Sequence, residues 1–443
     1  MGSRSIFYVH LGIIGLACFA LLTACATTKS AHGPDGKTLR FLKGSEVFQG
    51  SHTGFILVDA ESGKVLAAQQ ADNYFTPASN TKILTLATAL AFIPDSIPSL
   101  QQAEWKGKTI WRGCADPSFL HPKFEAWQTT FLGLKSQPEQ AFGMARPLSS
   151  ARLGPGWAWD DANDYYSAER SDWPLYGGVM QIIQANGTAR VEPPFFQSRL
   201  IDPEEPGLPA SWATDPCAPY YTYRKKLQET PDTSLQCIRF MDAFKSELLA
   251  DTMKHPFPMF APEQGPQWRT VYACPSDTVF RRMMHQSDNF IAEHVLLAAS
   301  GTLGDTLSEE KIIRVALDSL LPSDAHPPRW VDGSGLSRYN LITPAYLSKT
   351  LRMLWLKEDQ DRLFSLFPAG GRDGTLKNWY GGASPYVFAK SGSMGGVYCL
   401  SGYLVARSGR VLIFSVMHNQ FTGSNKPWKE ETQALLESIR DRY

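Results

Sequence analysis

Ser79 and Lys82 stand three residues apart in Pro77-Ala78-Ser79-Asn80-Thr81-Lys82, a short turn that runs into an apolar stretch. On a helix that spacing puts both side chains on one face, within reach of each other. A serine hydroxyl must lose its proton as it attacks, and a partly desolvated lysine beside it can take that proton. The pair suits acyl transfer through a serine ester. The pattern alone is cheap, because Ser308-Glu309-Glu310-Lys311 repeats it where helix capping accounts for the residues. Two further motifs give Ser79 its context. Ser287-Asp288-Asn289 lies between two helical stretches, and Lys390-Ser391-Gly392-Ser393 ends a strand-like run. Taken singly, the first reads as a helix cap and the second as a strand end with a turn glycine. In the order Ser-x-x-Lys, Ser-x-Asn, Lys-Ser-Gly they form a constellation.

These side chains need a frame. Phe55-Ile56-Leu57-Val58 reads as a buried strand, Glu61-Ser62-Gly63-Lys64 as a turn, and Val65-Leu66-Ala67-Ala68 as the returning strand. Residues 83–92 are almost all Ala, Leu, Ile and Thr, a helix apolar on every side that belongs inside a large core. Ser79 then sits at its mouth, where free N–H groups and the helix dipole favour developing negative charge. From Trp105 to about Gly265 the chain is rich in Pro, Gly, Trp and Tyr, with short β-like runs and a helix only near 238–249. Helices return at 279–284 and 290–299. A third, through Leu320, is opened by a capping box of Thr306 and Glu309. A fourth starts at Thr343-Pro344. Strands at 386–390, 397–406 and 411–418 precede a closing amphipathic helix over 428–442. Two early and three late strands predict an α/β (α+β) chain built on one antiparallel five-stranded sheet, flanked by helices and joined by both ends of the chain. The expected layout is a main domain of 46–105 and 266–443, with a mostly β inserted domain of 106–265.

Composition excludes some partners. The 43 Lys+Arg balance 43 Asp+Glu, with no long basic block, so nothing calls for nucleic acid. At 443 residues and 43% hydrophobic content, two or three domains with a sizeable core are expected. The start reads as targeting: Arg4, a mostly apolar run to Leu22, then Leu22-Thr23-Ala24-Cys25. That end resembles a bacterial lipobox, which implies a signal over 1–24, lipidation of Cys25 and a polar tether over 25–45. Ala26, where Asp would favour inner-membrane retention, implies the outer membrane, facing the periplasm. Beyond Cys18 and Cys25, five cysteines remain, an odd number, and Cys217 and Cys237 could pair across a loop-like stretch. No Cys/His spacing fits zinc, and His285 and His294 read as surface or packing residues.

The three motifs together resemble those of penicillin-binding proteins and class A β-lactamases. The chain is most similar to one branch, the class C low-molecular-mass penicillin-binding proteins, a D-alanyl-D-alanine carboxypeptidase/endopeptidase (DacB-type) family. Asp332-Gly333-Ser334-Gly335-Leu336-Ser337-Arg338, Asp373-Gly374-Thr375-Leu376-Lys377 and Leu400-Ser401-Gly402-Tyr403 also fit that branch, and Gly113-Cys114-Ala115-Asp116-Pro117 looks like a divergent opening of its insertion. Ser287 follows Ser79 by 208 residues, too far for a class A β-lactamase and in keeping with an added domain. The resemblance implies a β-lactamase-like transpeptidase fold and D,D-peptidase action on peptidoglycan peptides, with β-lactams as acylating inhibitors and no metal or organic cofactor. It implies that Ser79 is acylated, Lys82 is general base, Ser287 relays a proton, Asn289 positions, and Lys390 tunes the field. Ser391, Gly392 and Ser393 would bind substrate, with Lys390 and Ser391 holding its terminal carboxylate or that of penicillin. Serine replaces the usual threonine at Ser391 and Ser393, which keeps the hydroxyl. The other readings are a β-lactamase, for which no class A deacylating base is visible, and a penicillin sensor or scaffold.

Overall fold

The computed structural model describes residues 35–136, 141–201, 221–222, 232–239, 241–259 and 266–443. The signal stretch, Cys25 and Cys217 lie outside the described residues.

Five antiparallel strands form the central sheet, in the order Val387–Met394, Val397–Val405, Val411–Asn419, His52–Asp59, Val65–Gln69. The pairing of His52–Asp59 with Val411–Asn419 joins the two ends of the chain, as the early and late strands predict. Side chains alternate between two cores. Ile56 and Val58 join one and Phe55 and Leu57 the other, so both faces are covered and the strands read as unbroken apolar runs. One face carries the helices Lys82–Phe92, Asn289–Ser300 and Pro344–Lys357. The other carries Gly36–Gly44 and the closing helix Lys426–Arg440.

Lys82–Phe92 is buried from Lys82 through Ala89. Its alanines and leucines have strong helix propensity, and Ile93 turns extended ahead of Pro94, which ends it. Burial of a leucine here contributes about 2 kcal/mol or more, so the helix that carries Lys82 is held by its surroundings. The edge strand Val387–Met394 is the other rigid element of the site.

Two sequence expectations need correction. The 25–45 stretch is folded from residue 35 onward. Asp35 accepts from the Lys37 and Thr38 N–H groups and caps Gly36–Gly44, Arg442 donates to Asp35 at 2.8 Å, and Leu42 is fully buried. Leu39 and Leu42, three apart, form the apolar stripe that a reading by polar composition overlooks. The cap of Glu309–Ser319 is Ser308 and not Thr306, because the capping residue directly precedes the first helical one. Ser308 Oγ accepts from the Lys311 N–H at 3.2 Å, which occupies the second Ser-x-x-Lys in helix capping.

Among the described residues, three smaller sheets lie between the early and late strands. The largest has the order Arg269–Pro275, Ser96–Trp105, Lys108–Gly113, Ala141–Gly143. Its two strands Ser96–Trp105 and Arg269–Pro275 lie on the main-domain side of the expected limits at 105 and 266. Asp232–Cys237, Val179–Ala185 and Thr188–Glu192 form the second sheet, and a third pairs Leu200–Ile201 with Tyr221–Thr222. The helix expected near 238–249 is Met241–Met253. Leu100, Trp111, Trp173, Met180, Phe196 and Leu249 belong to a separate core of this region.

Candidate active site

Ser79 lies in a 3₁₀ turn, Ala78–Thr81, that leads directly into Lys82–Phe92. The turn is pinned from both sides. Thr81 Oγ1 donates to the Ala78 carbonyl at 2.9 Å, and Asn80 Nδ2 donates to Ser401 Oγ at 2.8 Å in the central sheet. Gly392 brings the edge strand against it: a Cβ there would stand 2.7 Å from the Pro77 oxygen and 2.9 Å from the Ser79 nitrogen. Gly335, at φ +80°, likewise has no room for a side chain beside the Ala78 carbonyl. Ala78 itself has φ +46° and Ser287 φ +56°, left-handed conformations that non-glycine residues adopt at some cost and that cluster at functional sites.

The Lys82 ammonium is fully buried and donates three hydrogen bonds: to Ser79 Oγ at 3.1 Å, Asn289 Oδ1 at 2.7 Å and the Ser334 carbonyl at 2.6 Å. Burial disfavours its charge, the carboxylates of Asp332, Glu293 and Asp288 partly offset this, and its pKa falls from that of an ordinary lysine to about 8. A group so placed can give or take a proton near neutral pH. On the far side, Lys390 is also fully buried. It donates to Ser287 Oγ at 2.9 Å and to the Ser391 carbonyl at 2.7 Å. Burial, and then repulsion from Lys82, holds its pKa well below the usual lysine value. Asn289 Nδ2 donates to the Tyr166 carbonyl at 2.9 Å, so its amide is held at both ends. Ser391 Oγ donates to Thr375 Oγ1 at 2.7 Å, and Ser393 Oγ accepts from Asn425 Nδ2 at 3.2 Å.

The structure therefore brings together Ser79, Lys82, Ser287, Asn289, Lys390, Ser391, Gly392 and Ser393, which are up to 314 residues apart in sequence. Ser79 opens on two recesses. One of about 750 Å³ also touches Asp161, Tyr166, Arg282, Ser287 and Arg338. The other, about 340 Å³, is flanked by Thr375, Ser391, Ser393 and Lys429.

Sequence reasoning missed the charged support behind Lys82. Glu293 Oε1 accepts from the Ser334 N–H at 2.7 Å, and Arg170 donates to Glu293 Oε2 at 2.7 and 2.9 Å and to Glu309 at 3.0 Å. Burial alone would raise the Glu293 carboxyl; Arg170 and the Ser334 N–H outweigh it and hold it below the usual range. Asp332 accepts from the N–H groups of Gly335 at 2.8 Å and Ser337 at 2.7 Å, and from Trp157 at 2.9 Å. Together these groups fix residues 333–337, whose Ser334 carbonyl accepts from Lys82. Arg170 belongs to the stretch between the early and late strands, so that stretch braces the site. The Asp332-Gly333-Ser334-Gly335 motif was the available signal. His294, fully buried, accepts from the Ser171 N–H at Nε2 and lies against the Phe290 carbonyl at Nδ1, a packing role as expected.

An antiparallel five-stranded sheet with helices on both faces, a serine and lysine at the mouth of a buried helix, and a Lys-Ser-Gly edge strand define a penicillin-binding-protein/β-lactamase-like fold with a candidate acyl-transfer site. Comparison with known proteins agrees. The family model described as the D-Ala-D-Ala carboxypeptidase 3 (S13) family matches residues 40–195 and 260–440, and the chain belongs to that family. It is 23% identical, over 89% of its length and 91% of the relative's, to the D-alanyl-D-alanine carboxypeptidase DacB of Haemophilus influenzae. It is 30% identical to the carboxypeptidase DacB of Mycolicibacterium smegmatis over 38% of this chain and 39% of that one. The crystal structure of penicillin binding protein 4 (dacB) from Haemophilus influenzae superposes with a TM-score of 0.71 at 18% identity, covering 91% of this chain and 99% of that one.

Proposed function

We propose that this chain is a serine-type D-Ala-D-Ala carboxypeptidase and D,D-endopeptidase that acts on peptidoglycan stem peptides and cross-links through an acyl-enzyme on Ser79. The observation that carries this reading is the buried Lys82 ammonium at 3.1 Å from Ser79 Oγ, with its pKa brought down to about 8. Family membership supplies the reaction class.

In the proposed cycle Ser79 Oγ attacks the carbonyl before the terminal D-amino acid while neutral Lys82 takes its proton. The backbone N–H groups of Ser79 and Ser393 hold the oxyanion, as the family resemblance implies; the close fit of Gly392 against Ser79 supports this. Ser287, bonded to Lys390, gives its proton to the leaving amine and takes one from the Lys82 ammonium, which returns Lys82 to its neutral form for the hydrolysis step. Asn289 fixes Lys82 and the substrate amide. Ser391, Gly392 and Ser393 present the edge strand to the substrate. Water then attacks the ester, and Ser79 recovers its proton. A β-lactam would acylate the same serine; a Haemophilus influenzae relative has been solved in complex with a β-lactam.

We extend the reading to layout and location. Residues 35–105 and 266–443 make the peptidase domain and 106–265 the insertion, whose first sheet also takes in Ser96–Trp105 and Arg269–Pro275, and 1–24 make a signal. The enzyme works outside the cytoplasm, and the lipobox-like sequence supports anchoring through Cys25 at the outer membrane, facing the periplasm. Among the described residues no helix is long and apolar enough to cross a membrane.

The test is incubation of the protein with purified monomeric and cross-linked muropeptides. Free D-alanine and cleaved dimers are expected, and both should vanish in Ser79→Ala. Penicillin labelling of Ser79 without either product would leave the sensor reading instead. Rapid turnover of penicillin would favour a β-lactamase.

A further inference from the structure

The smaller recess beside Ser79 has polar donors on one side and a lysine on the other. Lys429 stands in the first turn of the closing helix Lys426–Arg440, partly buried, its ammonium 5.4 Å from the Trp379 ring centroid and 5.7 Å from that of Tyr398. Its helix pairs other charges, Lys426 with Glu430 and Arg440 with Asp441, and among the described residues no carboxylate reaches Lys429. A cation in the first turn opposes the helix dipole. Partial burial adds to the cost and holds its pKa below that of an ordinary lysine. A cation kept there with no counter-ion has a place for an anion in front of it.

The neighbouring hydroxyls fit the same anion. Ser393 Oγ accepts from Asn425, one helical turn before Lys429, which frees its own O–H to donate. Thr375 Oγ1 accepts from Ser391, which frees its proton likewise. Lys390, by contrast, is fully buried and has two of its three donors bonded to Ser287 and the Ser391 carbonyl.

We propose that Lys429 is a specificity residue that pairs with the free carboxylate of the leaving D-amino acid, or of a bound β-lactam, while the Ser393 and Thr375 hydroxyls donate to the same group. This rests on the reading of Ser79 as the acylated residue.

The experiment compares acylation rates of wild type, Lys429→Met and Lys429→Arg with benzylpenicillin and with its neutral methyl ester, after thermal melts have shown equal folding. Lys429→Met should acylate about 10-fold more slowly with the free acid, the scale of one partly exposed charge pair, and at the wild-type rate with the ester. Lys429→Arg should recover most of the loss. Equal slowing with both agents would make Lys429 structural only, and no slowing with either would remove its role; either result overturns the proposal. A wild type that the free acid fails to label at Ser79 would overturn the acyl-enzyme reading, and this proposal with it.

Discussion

The two sides of Ser79 hold one buried lysine each, and their surroundings differ. Lys82 has three carboxylates within electrostatic range, Asp332, Glu293 and Asp288, and its pKa lies at about 8. Lys390 has burial and the charge of Lys82 against it, with no carboxylate among the leading influences, and its pKa is held well below that of a free lysine. Lys82 is thus poised between its charged and neutral forms, which suits a base that takes and returns a proton in each cycle. Lys390 instead donates to Ser287 Oγ and the Ser391 carbonyl, and acts through Ser287 in the proposed cycle. The same residue type is given two tasks by what surrounds it.

Substitutions can break this comparison, starting with the largest effect. Lys82→Met should slow acylation by about 100–10,000-fold, the usual contribution of a positioned base, measured as the rate of penicillin labelling. Lys390→Met should slow it by less, about 100-fold, because Ser287 keeps its hydroxyl and loses only its partner; equal losses would show that the two lysines act as one unit. The pH profile sharpens the contrast. The active form of Lys82 is the neutral amine, so acylation should climb as pH rises through about 8 and level off above it. Asp332→Asn removes a carboxylate that raises the Lys82 pKa, so the climb should shift to lower pH; an unmoved profile would show that Lys82 is not the titrating base. The smallest effect on chemistry is expected for Leu435→Ala in the opposite core. It should cost about 2–5 kcal/mol in stability, read by denaturant unfolding, and leave the pH profile in place.

The parts of this site that the sequence revealed are those set by local spacing. Ser79 and Lys82 share a helix face, Asn289 opens a helix, and Lys390 to Ser393 end a strand, so each motif sits within a few residues on one element. The central sheet was equally legible, because its strands are continuous apolar runs bounded by turns. The Arg170–Glu293 ion pair was not: its partners are 123 residues apart, and no periodicity marks a charge that will be buried against another element. Lys429 carries no signal in the sequence beyond its place on an amphipathic helix, since only the fold brings that helix turn to the edge strand. Gly36–Gly44 reads as tether by composition because its leucines form an apolar stripe only once the helix is drawn.

Mass spectrometry of the proteolysed protein after penicillin treatment tests the central claim most directly. The penicilloyl adduct is expected on the peptide that contains Ser79 and absent from Ser79→Ala. An adduct on any other residue, the second Ser-x-x-Lys at Ser308 included, or an unmodified Ser79 peptide, would contradict it.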